Sequence, residues 1–181
     1  MSREEAGGLI RTAGPADARP IAAVHVATWQ DAYAGLLPDG FLARLDVGEW
    51  AGRWRGRLAA PREGVFTLVF EADGRVRGFV SGGPSRDDFP GGEVYAIYLD
   101  PACQGRGAGR RLLAAATRLL ADAGFTNASL WVVSGNHPAR GFYEAQGWRR
   151  DGTEHQWPAA DGVSVPEVRY VLRLDGRGGA R

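Results

Sequence analysis

A glycine-rich turn in the second half of the chain constrains the fold more than any other feature. The run Gln104-Gly105-Arg106-Gly107-Ala108-Gly109-Arg110-Arg111 follows an apolar segment that ends at Leu99 and precedes a segment with helical periodicity. Glycines let the backbone approach a ligand closely, and the N–H groups at a helix start carry a partial positive charge. The pattern therefore predicts a strand, a turn and a helix whose N-terminus suits a phosphate or pyrophosphate group.

The segments around this turn predict one mixed α+β domain over residues 8–174. Apolar residues at intervals of three and four predict helices, and β-branched or aromatic runs predict strands. The predicted helices are Pro15–Ala34, Gly107–Ala123 and Pro138–Gln146, with one or two further helices over Phe41–Leu45 and Val47–Leu58. The predicted strands are Val65–Glu71, Val76–Ser81, Glu93–Leu99, Asn127–Val133, Trp148–Glu154 and Val165–Leu174, and Leu9–Ala13 is a short apolar run before the first helix. Ala72-Asp73-Gly74-Arg75 is a hairpin turn signal, and residues 175–181 are expected to form a flexible tail.

Charge and apolar content exclude several partners. The chain has 22 basic and 21 acidic residues, a net charge of +1, so it lacks the basic face typical of a nucleic-acid binder. No run approaches the roughly 18 apolar residues that a membrane span needs, and the first eight residues are polar. We therefore expect a cytoplasmic protein that binds neither nucleic acid nor membrane.

Cysteine and lysine usage exclude particular chemistries. A single cysteine, Cys103, rules out an intrachain disulfide, and three scattered histidines show no metal-ligand spacing, so we expect no metal. All 22 basic residues are arginine. Without lysine there is no P-loop, no pyridoxal Schiff base and no kinase strand lysine.

A dinucleotide-binding turn fits the glycines poorly. That fingerprint is G-x-G-x-x-G at the start of a doubly wound fold, with an acidic residue about twenty positions later. Here the glycines are spaced by two, Ser129 lies twenty residues after Gly109, and the preceding strands form a hairpin. A different anion-binding turn is therefore favoured.

Two motifs resemble those of the GNAT superfamily of N-acyltransferases. Gln104, Gly107 and Gly109, after Ile97-Tyr98-Leu99-Asp100-Pro101, resemble the acyl-CoA pyrophosphate signature Q-x-x-G-x-G. Asn136, Ala139, Phe142-Tyr143-Glu144 and Gly147-Trp148 are similar to the family's N-x-x-A-x-x-F-Y-E-x-x-G-F segment, with Trp148 in place of the last Phe. The order of elements agrees over nearly the whole chain. The resemblance implies a central, mostly antiparallel, twisted sheet of about 6–7 strands with about four helices, splayed between the strands near 93–99 and 127–133.

The resemblance also implies how acetyl-CoA would bind as co-substrate. The pantetheine arm would lie in the splay, bonded to the main chain of Ile97 and Leu99, and a backbone N–H near Tyr98 or Leu99 would face the thioester oxygen. Asn136 would contact the cofactor arm. The pyrophosphate would meet the backbone of the turn, formed by Gln104, Gly105, Arg106, Gly107, Ala108, Gly109 and Arg110. Arg106 or Arg110 could add a phosphate contact, or the arginines could simply form a solvated helix start.

Amide formation needs a base for the amine and an acid for the departing thiolate. Tyr143 matches the family's general acid, since a phenol can protonate a thiolate of similar basicity. Glu93, at the start of its strand, is the first choice as base; Asp87, Asp88 or an ordered water could replace it. Cys103 lies where the pyrophosphate is expected, so we expect direct transfer in a ternary complex rather than an acyl-enzyme.

The acceptor is expected on the opposite side of the sheet, against the first helices. His25, Trp29 and Tyr33 are spaced by four and share one helical face. They could line an amine pocket, or they could simply be the core of that helix. His155 and Trp157 could close the pocket, or could form a surface turn. The motifs do not decide between a small molecule and a peptide as the amine acceptor, and a homodimer is possible.

Two functions from different classes follow. The first is acetyl-CoA-dependent N-acetyl transfer to a primary amine. The second is a non-catalytic acyl-CoA-binding or sensing module. Tyr143 together with Glu93 favours the enzyme, whereas tight CoA binding without any acetylated amine would favour the sensor.

Overall fold

The computed structural model describes residues 7–160 and 162–174. Within them lie seven strands: β1 Leu9–Thr12, β2 Phe66–Ala72, β3 Arg75–Pro84, β4 Gly92–Leu99, β5 Asn127–Val133, β6 Arg149–Ala160 and β7 Val163–Arg173. The α-helices are α1 Ala18–Ala32, α2 Asp39–Ala43, α3 Val47–Ala59, α4 Ala108–Asp122 and α5 His137–Ala145. Short 3-10 turns precede α1 and follow β4, at Pro15–Asp17 and Pro101–Cys103. The expected flexible tail, residues 175–181, lies outside the described residues.

The strands form one sheet in the order β1-β2-β3-β4-β5-β7-β6. Every neighbouring pair is antiparallel except β4 and β5, which are parallel. The prediction of a mostly antiparallel mixed α+β sheet is confirmed. The described residues contain five α-helices where about four were expected, because the five-residue α2 forms its own turn.

The sheet opens between its two parallel strands. β4 and β5 pair only at Gly92–Ala128 and Glu93–Ser129. β4 continues to Leu99 and β5 to Val133 without further pairing between them. The predicted splay is therefore confirmed, and it leaves one backbone edge of β4 without a strand partner in the described structure.

A bulge in β4 changes which side chains share a face of the sheet. Ala96 pairs with Ser81 and Val94 with the next residue, Gly82, so that Tyr95 is an extra residue in β4. Glu93 and Tyr98 are an odd number of residues apart, and strict alternation would place them on opposite faces. With the extra residue between them they lie on the same face.

Two helical layers cover the sheet. α4 and α5 pack on one face, where the fully buried side chains of Leu112, Leu120, Leu130, Trp148 and Tyr170 form the largest core cluster. α1 and α3 cover the other face around Ile21, Trp54 and Phe79. Val94, Ile97 and Leu99 belong to the α4 side, whereas Ala96 and Tyr98 belong to the α1 side. The gap between β4 and β5 thus lies between the two helical layers.

Local signals set most element ends. The β2–β3 turn has positive φ at both central residues, Asp73 (52°) and Gly74 (67°), as a type I′ hairpin requires. The last two strands are the main difference from the sequence prediction, since β6 extends from 149 to 160 rather than ending at Glu154. Its second half, residues 155–160, is held in a ladder by β7, and a segment with a proline and two alanines gives little strand signal in the sequence.

Candidate active site

The turn between β4 and α4 adopts a conformation that requires glycine at two positions. Gly105 (φ 73°) and Gly107 (φ 85°) lie in the left-handed region. Gly107 is the N-cap of α4, and no side chain caps the helix there. The first N–H groups of α4, at Ala108, Gly109 and Arg110, precede the first i to i−4 bond, which Arg111 donates to Gly107. N–H groups at a helix start of this kind suit an anion.

Gly109 is different from the other two glycines. A Cβ built on it would lie 3.6 Å from the Phe142 ring, an ordinary contact, and its φ is helical. The protein itself therefore has room for a side chain at this position. The Gly109–Phe142 contact also joins the two sequence motifs, because it packs the start of α4 against α5.

The main chain of Ile97 and Leu99 faces the gap. Asp100 donates its N–H to Arg77 O on the β3 side, and alternate residues of a strand direct their polar groups to opposite edges. The Leu99 carbonyl accepts hydrogen bonds from Thr28 Oγ1 (3.2 Å) and Gln104 Nε2 (3.3 Å). The end of β4 is thereby tied both to α1 and to the glycine-rich turn.

The two arginines of the turn, Arg106 and Arg110, are exposed, as is Gln104. All three side chains lie beside the helix start. Cys103 is half-buried in the 3-10 turn just before them and packs against the α4-side core. No catalytic arrangement forms around its thiol among the contacts of the described residues.

Tyr143 lies on α5 and is buried, with 8% of its surface exposed. Its ring packs against Phe142, Trp148 and Tyr170. Burial first, and then the neighbouring Tyr98, raise the pKa of the Tyr143 hydroxyl well above its ordinary value. The phenol is therefore fully protonated at neutral pH, although burial makes it a weaker acid than a free phenol.

Asn136 has a structural role that is visible directly. Its Oδ1 accepts the N–H of Ala139 (3.2 Å), so it is the N-cap of α5. Asn136 thus fixes the start of the helix that carries Tyr143.

Glu93 is almost completely buried, with 1% of its surface exposed. Its Oε2 accepts the backbone N–H of Arg86 (2.8 Å), and its Oε1 accepts Nε (3.0 Å) and Nη2 of the same arginine. Arg86 also lies over the ring of Tyr95, 4.4 Å from its centroid. Glu93 therefore reaches the α1 face of the sheet, and Arg86 already neutralises its charge.

The alternative acids lie in the loop between β3 and β4. Asp87 accepts hydrogen bonds from Ser85 Oγ (2.7 Å), Phe89 N (2.9 Å) and Trp131 Nε1 (3.1 Å). Burial alone would raise the pKa of Asp87, but these hydrogen bonds and Arg169 hold it below its ordinary value. Asp88 is exposed in the same loop. Asp87 therefore anchors the loop to β5 and β7.

The predicted acceptor residues His25, Trp29 and Tyr33 are all buried on one face of α1. His25 Nδ1 accepts the indole N–H of Trp54 (3.4 Å), so its proton lies on Nε2. Burial, followed by Arg57 and Arg53, lowers the pKa of His25 to about 3. His25 is thus a neutral hydrogen-bond donor and carries no charge at neutral pH.

Two N–H groups on this face of α1 are buried without a hydrogen-bond partner among the described residues, His25 Nε2 and Trp29 Nε1. The rings of His25 and Trp29 are 5.0 Å apart between centroids, and His25 is also 5.0 Å from Tyr98. Trp29 further contacts Trp157 at 5.5 Å. Trp157, a possible pocket residue from the sequence, therefore packs on α1, whereas His155 stacks on Trp131 at 3.8 Å.

Glu167 on β7 is a residue that the sequence analysis missed. Its Oε2 lies 2.8 Å from His155 Nε2, and 13% of its side chain is exposed. Burial raises the pKa of Glu167; burial is also the main cause that raises the pKa values of Tyr33 and Tyr98, and the charge of Glu167 adds a smaller contribution to both. The only available signal was the alternation of β7, where Val168 and Tyr170 are buried beneath α4 and α5 and Glu167 faces the other way.

The described residues therefore contain an opened parallel strand pair, a helix N-terminus without a side-chain cap and a buried phenol. Among residues 7–160 and 162–174, no group of three or more His, Cys, Asp or Glu side chains could hold a metal ion. In the same residues, no helix is long and apolar enough to cross a membrane. These features define an acyl-CoA-dependent acyltransferase fold.

The chain belongs to the acetyltransferase (GNAT) family, whose model matches residues 28–148. It is 39% identical over 138 residues to the uncharacterized N-acetyltransferase YuaI of Bacillus subtilis, covering 75% of this chain and 77% of that protein. The family assignment and the enzyme class, N-acetyltransferase, agree with the resemblance noted from the two motifs.

Solved structures share the fold. The PaiA N-acetyltransferase of Thermoplasma acidophilum in complex with coenzyme A superposes with a TM-score of 0.74 at 18% identity, covering 92% of this chain and 99% of that chain. The yncA structure from Salmonella typhimurium, with its cofactor acetyl-CoA, gives a TM-score of 0.66 at 22% identity, covering 97% and 99%.

Proposed function

We propose that this protein transfers an acetyl group from acetyl-CoA to a primary amine by direct attack within a ternary complex. The observations that carry the proposal are the unpaired edge of β4, the N-terminus of α4 without a side-chain cap, and the buried phenol of Tyr143. Both neighbouring structures described above carry coenzyme A or acetyl-CoA in a fold of this kind.

The residues present fit acetyl-CoA. Backbone N–H groups of the turn from Gln104 to Arg110 would bind the pyrophosphate, and the exposed guanidinium groups of Arg106 and Arg110 would add charge. The main chain of Ile97 and Leu99 would pair with the amide groups of the pantetheine arm, as a missing strand would. The co-substrate supplies an activated thioester carbonyl.

Tyr143 is the proposed general acid. In the reaction a C–N bond forms and the thioester C–S bond breaks, and the leaving thiolate takes a proton. The buried Tyr143 hydroxyl holds such a proton throughout the neutral range. The backbone N–H of Leu99, which faces the gap, is the proposed donor to the developing oxyanion, whereas Tyr98 directs its backbone N–H toward β3.

Glu93 is the proposed base. An acceptor that arrives as a protonated amine loses two protons overall. One of them balances the proton that the thiolate takes up, and the other passes to solvent. Since Arg86 occupies both carboxylate oxygens of Glu93, we propose that Glu93 acts through a bound water rather than by direct contact with the amine. The proposed transfer does not involve Cys103, which lies in the turn beside the pyrophosphate site.

The test is acetyl-CoA-dependent release of CoA, measured by chromatography over a panel of amines and peptides. The wild-type protein should release CoA with at least one acceptor class, and Tyr143→Phe and Glu93→Gln should both be much slower. Tight CoA binding by calorimetry without any acetylated acceptor would instead favour the non-catalytic sensing module.

A further inference from the structure

Among residues 7–160 and 162–174, four carboxylates on the α1 side of the sheet can be compared, and three of them have an arginine partner. Glu93 pairs with Arg86, and Asp87 and Asp151 both pair with Arg169. Glu167 is the exception, because its ion-pair partner is His155, which carries a charge only when it is protonated. Glu167 is thus the carboxylate on this face that no arginine neutralises.

Glu167 is also largely withdrawn from water, with 13% of its side chain exposed. A buried carboxylate without a full counter-charge is costly unless a cation reaches it. Arg86, whose charge acts on Glu167 from a distance, is held by Glu93. When His155 is neutral, no described side chain places a cation directly on Glu167, so the counter-charge would come from a bound ligand.

The position of Glu167 connects it to the gap. In the sheet register it pairs with Val133, the last residue of β5, which borders the opening toward β4. Its charge acts on the hydroxyls of Tyr33 and Tyr98, and Tyr98 in turn acts on that of Tyr143. Glu167 is therefore on the acceptor side of the reaction centre and within electrostatic reach of it.

The neighbouring wall is aromatic. Trp157 contacts Trp29 (5.5 Å between ring centroids) and Tyr33 (6.4 Å). The buried indole N–H of Trp29 makes no hydrogen bond of normal geometry within the described residues, and Tyr98 is its polar neighbour. Aromatic faces beside a carboxylate favour an ammonium group, through cation–π attraction as well as charge pairing.

We propose that Glu167 recognises the acceptor, and that the acceptor is a protonated primary amine next to an apolar or aromatic group. The proposal rests on the transferase function given above and adds the chemistry of its second substrate. Glu167 acts here as a binding and orienting residue, whereas Glu93 is the proposed base and Tyr143 the proposed general acid. Acceptors with a carboxylate beside the amine are disfavoured because Glu167 repels them.

The first test is calorimetric binding to the CoA-saturated protein with two probes of similar shape, 2-phenylethylamine and 2-phenylethanol. The wild type should bind the ammonium probe roughly 10-fold or more tightly than the alcohol, as a charge-assisted contact implies. Glu167→Gln should remove this preference, and Glu167→Asp should retain part of it. A preference unchanged in Glu167→Gln, or no binding of the amine to the wild type, would overturn the proposal.

Glu154→Gln is the matched control. Glu154 is on the neighbouring strand β6, one residue before His155, but its side chain is 59% exposed and it pairs with Val168, which faces α4 and α5. This variant removes one carboxylate from the same hairpin without touching the acceptor face. It should bind both probes as the wild type does.

Kinetics separate this proposal from the transferase proposal. With 2-phenylethylamine as acceptor, Glu167→Gln should raise the KM for the amine about 10-fold and leave kcat and the KM for acetyl-CoA within about threefold. Acetylation that is indifferent to Glu167 would overturn the recognition site and leave the transferase intact. Glu167-dependent binding without any acetylation would support the recognition site and overturn the transferase proposal.

Discussion

Both carboxylate oxygens of Glu93 accept hydrogen bonds from a single residue, Arg86, through its backbone N–H and its guanidinium group. The carboxylate is nearly fully buried, whereas 58% of the arginine side chain is exposed. This clamp fixes the loop between β3 and β4 against the start of β4. It also sets the orientation of the carboxylate that we propose as the base.

Arg86→Met should therefore affect stability and catalysis together. Loss of the charged hydrogen bonds leaves a buried carboxylate with only the backbone N–H, and should lower the free energy of unfolding by roughly 1.5–3 kcal/mol. The kcat should fall because Glu93 is no longer held in one orientation. Denaturant unfolding of Arg86→Met, Glu93→Gln and the double variant measures this, and strictly additive effects would show that the clamp does not exist.

Gly107→Ala should lower the stability of the protein much more than Gly109→Ala. At Gly107 the positive φ of 85° makes any side chain unfavourable, and alanine should cost about 1–2 kcal/mol of stability. At Gly109 a methyl group meets only an ordinary contact with Phe142, and alanine in the helix should change stability by less than about 1 kcal/mol.

The same Gly109→Ala variant should bind CoA at least about 10-fold more weakly, because the methyl group occupies the space that the phosphates need at the helix N-terminus. Calorimetry with CoA and thermal unfolding, run on both variants, give the two readouts. Normal CoA affinity in Gly109→Ala would argue against a pyrophosphate at the start of α4.

Variants of Asn136 can separate its role as a helix cap from a role in cofactor binding. Asn136→Ala removes the cap that Oδ1 makes to Ala139 and should destabilise the protein by about 1 kcal/mol. Asn136→Ser keeps a capping oxygen and should restore most of that stability. If Asn136 also contacts the cofactor arm, Asn136→Ser will still raise the KM for acetyl-CoA; an unchanged KM would assign Asn136 to capping alone.

His25 should make the stability of the protein depend on pH on the acid side. Its pKa is about 3 in the folded protein and about 6.5 in an unfolded chain. Between these values the unfolded chain binds the extra proton, so the stabilisation is complete above pH 6.5 and is lost as the pH falls. The free energy of unfolding should decrease by at most about 1.4 kcal/mol per pH unit.

His25→Gln keeps a hydrogen-bond acceptor for Trp54 and removes the titration. Denaturant unfolding between pH 7 and pH 4.5 should show a flatter profile in this variant than in the wild type. Parallel profiles for the two proteins would mean that His25 is not the residue responsible.

The strands and helices of the sheet could be predicted because they depend on local sequence patterns. The gap could be predicted because two spaced motifs resemble those of a known family. The hairpin signal at Asp73-Gly74 and the helical stripe of α4 act over a few residues, and the structure contains both. The family resemblance added the splay, which periodicity alone does not encode. The positions of Tyr143 and of the glycines follow from motif spacing in the same way.

The remaining features depend on contacts that a single sequence does not reveal. The extra residue at Tyr95 decides that Glu93 and Tyr98 share a face, and β-branched periodicity gives no sign of it. The pairing of His155 with Glu167 depends on the register of a long hairpin whose second half lacks a clear strand pattern. The Arg86–Glu93 clamp likewise depends on how a loop folds back over β4.

The central claim is that Tyr143 supplies the proton for the leaving thiolate, and the most direct test is the steady-state kinetics of Tyr143→Phe with an acceptor that the wild type acetylates. The account predicts a kcat lower by about 10²-fold or more, with the KM for acetyl-CoA within about threefold and the fold unchanged by circular dichroism. Because the pKa of Tyr143 is raised by burial, the wild-type kcat should show no loss of a phenolic proton up to about pH 10. A Tyr143→Phe variant with wild-type kcat would contradict the account.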